Sequence, residues 1–240
     1  MLLVAAALAM DPTHATLQRA LDGRVSNGRV DYAALKKDPR ALDAYLAELA
    51  VADLGRMSSA ERKAFLVNAY NAITLDVVAD AWPIRSIRDL DGGKVWTTRR
   101  FRVAGADRTL DEIEHALLRP MGDARIHAAI NCASVGCPPL SPKAYTVATL
   151  DAQLDAAART LAASATLAAG TLTVSALHDW FGDDFVAVYG RSRWDIPGLE
   201  GKEEAAANFV AAYAPDNAGA VRAGGYRVAY APWDWAVNAR

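Results

Sequence analysis

The chain has 240 residues, 52% hydrophobic and 22% charged, which is enough apolar material for a substantial core and too little charge for wholesale disorder. A formal charge of -2 and a pI near 6.1 give no basic field to gather phosphates, which argues against nucleic acid as a partner. After the first ten residues no segment is apolar and long enough to cross a bilayer as a helix, so the chain is not expected to be an integral membrane protein.

Residues 1–10 carry no charge and have the length of a secretory apolar region, though without a basic segment before it. They are expected to be a truncated signal peptide, which implies export to the periplasm or beyond; an apolar segment packed on the domain is the alternative. Residues 11–240 are expected to form one domain.

Asp38-Pro39 starts a helix with Leu42, Tyr45, Leu46 and Leu49 on one face. Ser58 and Glu61 have the spacing of a capping box, and the helix they open holds twelve uncharged residues, Ala64 to Leu75. A helix apolar all round belongs at the centre of a fold. Trp82-Pro83 ends it. Val95 to Val103 is expected to be a strand, with a turn at Ala104 to Asp107. Thr109 and Glu112 form a second capping box, opening a helix that carries Glu114 and His115 and stops before Pro120.

Ile126, Ala128, Ile130 and Cys132 alternate with His127, Ala129 and Asn131, the period of a half-buried strand. A turn follows at Ala133 to Gly136, and Pro138-Pro139 prevent helix or ladder from resuming. Thr149 caps a helix over 150–165. A strand at Thr171 to Val174 leads to a helix capped by Ser175 and running to Tyr189. A helix at Leu199 to Tyr213, a strand at Tyr226 to Tyr230 and the aromatic tail Trp233-Asp-Trp235 complete the chain. With no repeat or linker, the pattern is α+β, rich in helix, with a small sheet.

Both cysteines fall between Arg125 and Leu140, the densest cluster of reactive groups in the sequence. A catalytic thiol needs a base and an orienter behind it. Cys132 and Cys137 are the candidate nucleophiles, His115 the base and Glu114 its adjacent acid, with Arg119 one helical turn on. On a strand, His127 would face away from Cys132. The alternative is that the C-x4-C pair forms a disulfide or is inert. Asn68 and Asn71, at i and i+3 on the uncharged helix, need partners when buried; they either orient a catalytic side chain or bind a backbone-like ligand, or they fasten a neighbouring loop. Asp183 and Asp184 read as solvent-facing carboxylates. No C-x2-C or H-x3-H pair, phosphate loop or G-x-S-x-G elbow is present, so neither a metal nor a cofactor is expected.

Taken together, several motifs resemble one family. They are Asn68-Ala-Tyr-Asn-Ala72, Leu110-Asp-Glu-Ile-Glu-His115 with Leu118-Arg119, Arg125-Ile-His127, Asn131-Cys132, Cys137-Pro-Pro-Leu140 and Tyr145. Trp180, Asp184-Phe185, Asp234-Trp235 and Asn238 continue the likeness. The chain resembles the domain of unknown function 547, found in bacterial exported proteins and in divergent plant relatives. The resemblance implies a fold similar to papain-like or transglutaminase-like thiol enzymes with rearranged order. It also implies a Cys–His–acid set of Cys132 or Cys137, His115 and Glu114. Asn68, Asn71, His127 and Arg119 are the residues expected to bind the substrate. The function expected is thiol-dependent hydrolysis or acyl transfer on a peptide-like or amide substrate. The alternative is a non-catalytic module binding a peptide or protein, with the two cysteines as a structural disulfide. Oligomeric state leaves no mark in the sequence.

Overall fold

The computed structural model describes residues 10–190 and 193–240; the expected signal segment lies, Met10 apart, outside them. Helices dominate and strands are short, so the chain is a helix-rich α+β protein, as expected. It forms two compact units that alternate along the sequence. The first takes the chain up to Pro120, then Ile130–Leu150 and Trp235–Arg240, and the second takes Met121–Ala129 and Asp151–Asp234.

The first unit begins with α1 (Ala15–Leu21) and a hairpin of β1 (Val25–Ser26) and β2 (Arg29–Val30). Next come α2 (Tyr32–Lys37), α3 (Arg40–Val51) and the long α4 (Ser59–Ala81). The Ser58 hydroxyl accepts from the Glu61 N–H and the Glu61 carboxylate from the Ser58 N–H. Such a box contributes about 1 kcal/mol and fixes where α4 starts. All of Ala64 to Leu75 is buried, as a helix without a charged face requires, and α2 and α3 pack on α4. At its end the Lys36 ammonium donates to the carbonyls of Asp80 and Trp82, where a helix favours positive charge.

The strand expected over Val95 to Val103 is a strand only at its end. Val95–Thr98 is a single helical turn, α5, and β3 (Phe101–Val103) then pairs with β4 (Ala106–Arg108). The threonines decide this: the hydroxyls of Thr97 and Thr98 both donate to the Lys94 carbonyl, closing the turn that their β-branched side chains would otherwise oppose. The Thr109–Glu112 capping box forms as expected, but the helix behind it, Glu112–Leu118, is a π-helix packed on α4.

Asn27 and Gly28 join β1 to β2 with φ of 49° and 74°, the left-handed pair of a tight hairpin. A Cβ on Gly28 would lie 2.5 Å from the Cβ of Pro139, and Gly28 also bridges to Leu140. Gly28→Ala is therefore expected to combine backbone strain with a clash. A loss of about 2–4 kcal/mol in urea-unfolding stability is anticipated. A variant as stable as the parent would show that the hairpin does not sit against Pro139.

The second unit contains α6 (Ile126–Ala129), α7 (Leu150–Ala163) from its second residue, β5 (Thr166–Ala168) and β6 (Thr171–Val174). It continues with α8 (Leu177–Trp180), α9 (Gly182–Tyr189), α10 (Gly201–Tyr213), α11 (Pro215–Ala223) and β7 (Arg227–Tyr230). The sheet order is β5-β6-β7, antiparallel then parallel. Its core is aromatic: Phe209 meets Phe185, Tyr189 and Tyr213 at centroid distances of 5.3, 5.2 and 5.0 Å. Arg125 pairs with Asp123, Asp151 and Asp155, holding the start of α6 to α7.

The strand expected over Ile126 to Cys132 is absent. Asp123 accepts from Ile126 N–H through its carbonyl and from Arg125 N–H through its carboxylate, so the chain enters a helical turn. Every residue from Ile126 to Asn131 is buried, so the alternation of side chains did not mark two faces. The expected helix from Ser175 to Tyr189 is broken in two at Phe181.

Candidate functional site

The loop from Asn131 to Leu140 in the first unit is the centre of interest, and the structure settles the state of its sulfurs. Cys132 and Cys137 form a disulfide. They are the chain's two cysteines, and neither is a free thiol. The disulfide alternative is thus the one realised, and the thiol nucleophile is not present in this state. Both residues remain partly exposed.

The loop is also held by amides. Asn131 Oδ1 accepts from the Ala133 N–H at 2.8 Å, and its Nδ2 donates to the Pro138 carbonyl at 2.8 Å, so one side chain clasps both ends of the turn. Asn238, from the C-terminal tail, donates to the same Oδ1 and accepts the Tyr32 hydroxyl. The Asn131 N–H in turn donates to Asn71 Oδ1 at 2.8 Å. Ala133 sits at φ 60°, a left-handed conformation unusual for a residue with a Cβ. The Asn131 carboxamide on its N–H holds it there. A bridge closing so short a loop contributes about 2 kcal/mol in the chain-entropy account. Hydrogen bonds at about 1 kcal/mol each give the clasp a comparable share.

Asn68 is saturated by main chain: its Oδ1 accepts the Tyr145 N–H and its Nδ2 donates to the Tyr145 carbonyl. It also meets the Tyr45 hydroxyl. Asn68 and Asn71 therefore fasten loops, the structural one of the roles open to them.

On the π-helix, Glu114 and His115 part company. Glu114 is buried and accepts the Tyr70 hydroxyl, whose pKa lies well above its ordinary value, mainly through burial and then through this carboxylate. His115 is exposed; Arg119 donates to its Nδ1 at 2.8 Å, leaving the ring proton on Nε2, 3.4 Å from Asp111. Glu114 is thus engaged with Tyr70, and His115 with Arg119 and Asp111. Arg119 spends a guanidinium N–H on that imidazole.

His127, expected near substrate, lies in the second unit with its ring sealed. Its Nε2 is 2.8 Å from Asp184 Oδ2, and it stacks on Phe181 at 4.0 Å. Its side chain has no exposure, and the ring is held in place by this hydrogen bond and stack. Asp184 is correspondingly not a solvent-facing carboxylate. The pairing spans 57 positions and left no local signal. His178, also buried, has its pKa lowered to about 3, first by burial and then by the nearby His127.

The aromatic tail divides. Trp233 packs on Trp180 in the second unit at 4.7 Å. Trp235 packs edge-on to Trp96 in the first at 6.0 Å, with the Arg88 guanidinium 5.0 Å above its ring. The Val135 N–H donates to the Ala236 carbonyl, and Ser134 bridges to Val237, so this tail lies against the disulfide loop. Among the described residues no cluster of three or more His, Cys, Asp or Glu could hold a metal ion, and no helix is long and apolar enough to cross a membrane.

No curated protein and no solved structure matches the chain. Residues 54–161 match the model of a family described as protein of unknown function, DUF547. That stretch runs from before α4 into α7 and takes in the Asn68–Asn71 helix, the π-helix and the disulfide loop. Over these residues, just under half of the chain, the protein is similar to the DUF547 family.

Proposed function

We propose that the chain is an exported recognition module for a peptide-like or protein ligand, presented by the disulfide-closed loop and the tail beside it. The observation that carries this reading is the bond between Cys132 and Cys137, which occupies both thiols. The amides of Asn68 and Asn131 are spent on main chain. What the loop region offers outward is a partly exposed pair, Trp96 and Trp235, with Arg88 over it. Tryptophan and arginine are the residue types that carry most binding energy at interfaces. A disulfide persists in oxidising compartments, which supports export alongside the apolar residues 1–10.

The second reading, a thiol-dependent hydrolase or acyl-transfer enzyme, belongs to the reduced form. It draws on the Cys132 N–H, which points at Cys137 Sγ. The test treats the native, non-reduced protein with an alkylating agent across pH 5 to 9, with peptide mass spectrometry at both cysteines. Both are expected to stay unlabelled until a reductant is added. A cysteine labelled without reductant would remove the basis of the module and restore the enzyme. In parallel, peptides selected from a random display library on the non-reduced protein are expected to bind Trp235→Ala roughly tenfold more weakly. Equal binding, or no enrichment, would overturn the proposal.

A further inference from the structure

We propose that the Cys132–Cys137 bridge is an exchangeable disulfide with a fixed polarity. An incoming thiolate attacks Cys132 Sγ, and Cys137 leaves as a thiolate. This inference goes beyond ligand recognition and stands whether or not a peptide binds.

Three observations carry it. Both cysteines are partly exposed, so the bridge lies at the surface, where a small thiol would meet it. The donors around them are unequal: the Cys132 N–H donates to Cys137 Sγ at 3.0 Å, and no corresponding contact from the Cys137 N–H is made, since it donates to the Ser134 carbonyl at 3.2 Å. The Ser134 hydroxyl lies 3.2 Å from Cys132 Sγ and 3.4 Å from Cys137 Sγ, so it can turn to whichever sulfur bears charge. A fixed amide dipole on one sulfur lowers the pKa of the thiol that sulfur becomes, and the lower-pKa thiol is the better leaving group.

The third observation concerns what stays in place when the bond opens. Asn131 ties Ala133 N–H to Pro138 O; Gly28 bridges to Leu140, and Val135 N–H donates to Ala236 O. None of these bonds involves sulfur. The opened loop therefore keeps its cysteines close, and the bridge can re-form without a search through loop conformations.

The electrons balance with a dithiol as reductant. Its first thiolate forms a mixed disulfide with Cys132 as the Cys132–Cys137 bond breaks, and the bonding pair departs on Cys137 Sγ. The second thiolate of the dithiol then attacks its own sulfur in the mixed disulfide. This closes the oxidised reagent and releases Cys132 as a thiolate that takes a proton from water. The protein gains two electrons and the dithiol loses two. A dithiol protein and a small dithiol reagent share this chemistry, and a dithiol reagent serves as the probe.

The test uses the full, non-reduced chain in two steps. First, a dithiol reagent is added without denaturant; the bridge is expected to open in the native protein. Resistance until the chain is unfolded would overturn the proposal. Second, a limiting monothiol, glutathione, is added and the reaction quenched with a maleimide. Glutathione is expected on Cys132 and maleimide on Cys137, with a preference of roughly tenfold or more, the ratio given by one pKa unit. Equal distribution or the reverse would overturn it. Ser134→Ala is expected to leave the preference for Cys132 intact and to slow both opening and closing, because the main-chain donor, not the hydroxyl, sets the polarity. Loss of the preference in that variant would also count against the proposal. Opening with the stated polarity but no enriched peptides would leave exchange standing and remove the recognition module.

Discussion

Replacing Asn131 with Ala is expected to cost about 3–5 kcal/mol of unfolding free energy. The change strands two groups at once, the N–H of Ala133 and the carbonyl of Pro138, both in buried residues. Each buried group left without its partner costs about 1–3 kcal/mol. It also removes the acceptor for Asn238 and the restraint that keeps Ala133 at positive φ. Asn131→Asp separates the two halves of the clasp. It keeps the acceptor for Ala133 and puts a charge against the Pro138 carbonyl, so it should be destabilising at neutral pH and recover in part as the carboxyl protonates. The measurement is a urea midpoint at unchanged slope. A loss below about 1 kcal/mol in the alanine variant would mean that the disulfide alone holds the loop.

Acidification is expected to destabilise the protein well before ordinary carboxylates titrate. His14 and His178 are buried, and desolvation lowers their pKa values from 6.5 to about 4 and about 3. A group whose folded pKa lies below its unfolded value binds fewer protons folded than unfolded in the interval between. Stability therefore falls as pH drops below 6.5, by about 1.4 kcal/mol per pH unit for each such histidine. Asp76 works the other way. Burial first and the Asp80 charge second raise its pKa from 3.8 to about 6, so protonation between pH 6 and 4 favours the folded state and offsets one histidine. The net expectation is a slope of about 1.4 kcal/mol per unit over that range. His178→Phe should remove it. The ring lies among Phe185 and Phe209, and its Nδ1 has no hydrogen-bond partner among the described residues, so phenylalanine suits the site. Unfolding curves at pH 6 and pH 4 should then nearly coincide for the variant and separate for the parent. Parallel behaviour would show that His178 is protonated in the folded protein.

What the sequence revealed was mostly what is decided locally. Ser58 and Thr109 announce capping boxes because both partners lie within one turn, and both boxes form. Trp82-Pro83 ends α4 for the equally local reason that proline cannot continue a helix. The uncharged run of α4 gave away its central place because burial on every side leaves no position for charge. Where local pattern and tertiary burial diverged, pattern misled: Ile126 to Asn131 alternates in character yet is wholly buried. The left-handed pair Asn27-Gly28 is a hairpin signal in plain view that deserved the weight given to the cysteines. The site was less legible than the fold. The pairing of His127 with Asp184 and the clasp of Asn131 onto Asn238 join residues 57 and 107 positions apart. The disulfide was one of two readings of the same spacing, and only the folded loop chose between them.

The C-terminal tail has a consequence for the order in which the molecule is made. The Val30 N–H donates to the Asn238 carbonyl and the Arg240 N–H to the Val30 carbonyl, so the second strand of the first hairpin is completed by the last three residues of the chain. Contacts of such separation form slowly, since most of the chain must be ordered before they can. During synthesis the first unit waits, with this edge and the disulfide loop uncovered, until residues 235–240 have left the ribosome. Val25–Val30 are therefore made early but are among the last residues to finish folding, and a truncation before Trp235 would leave that unit incomplete.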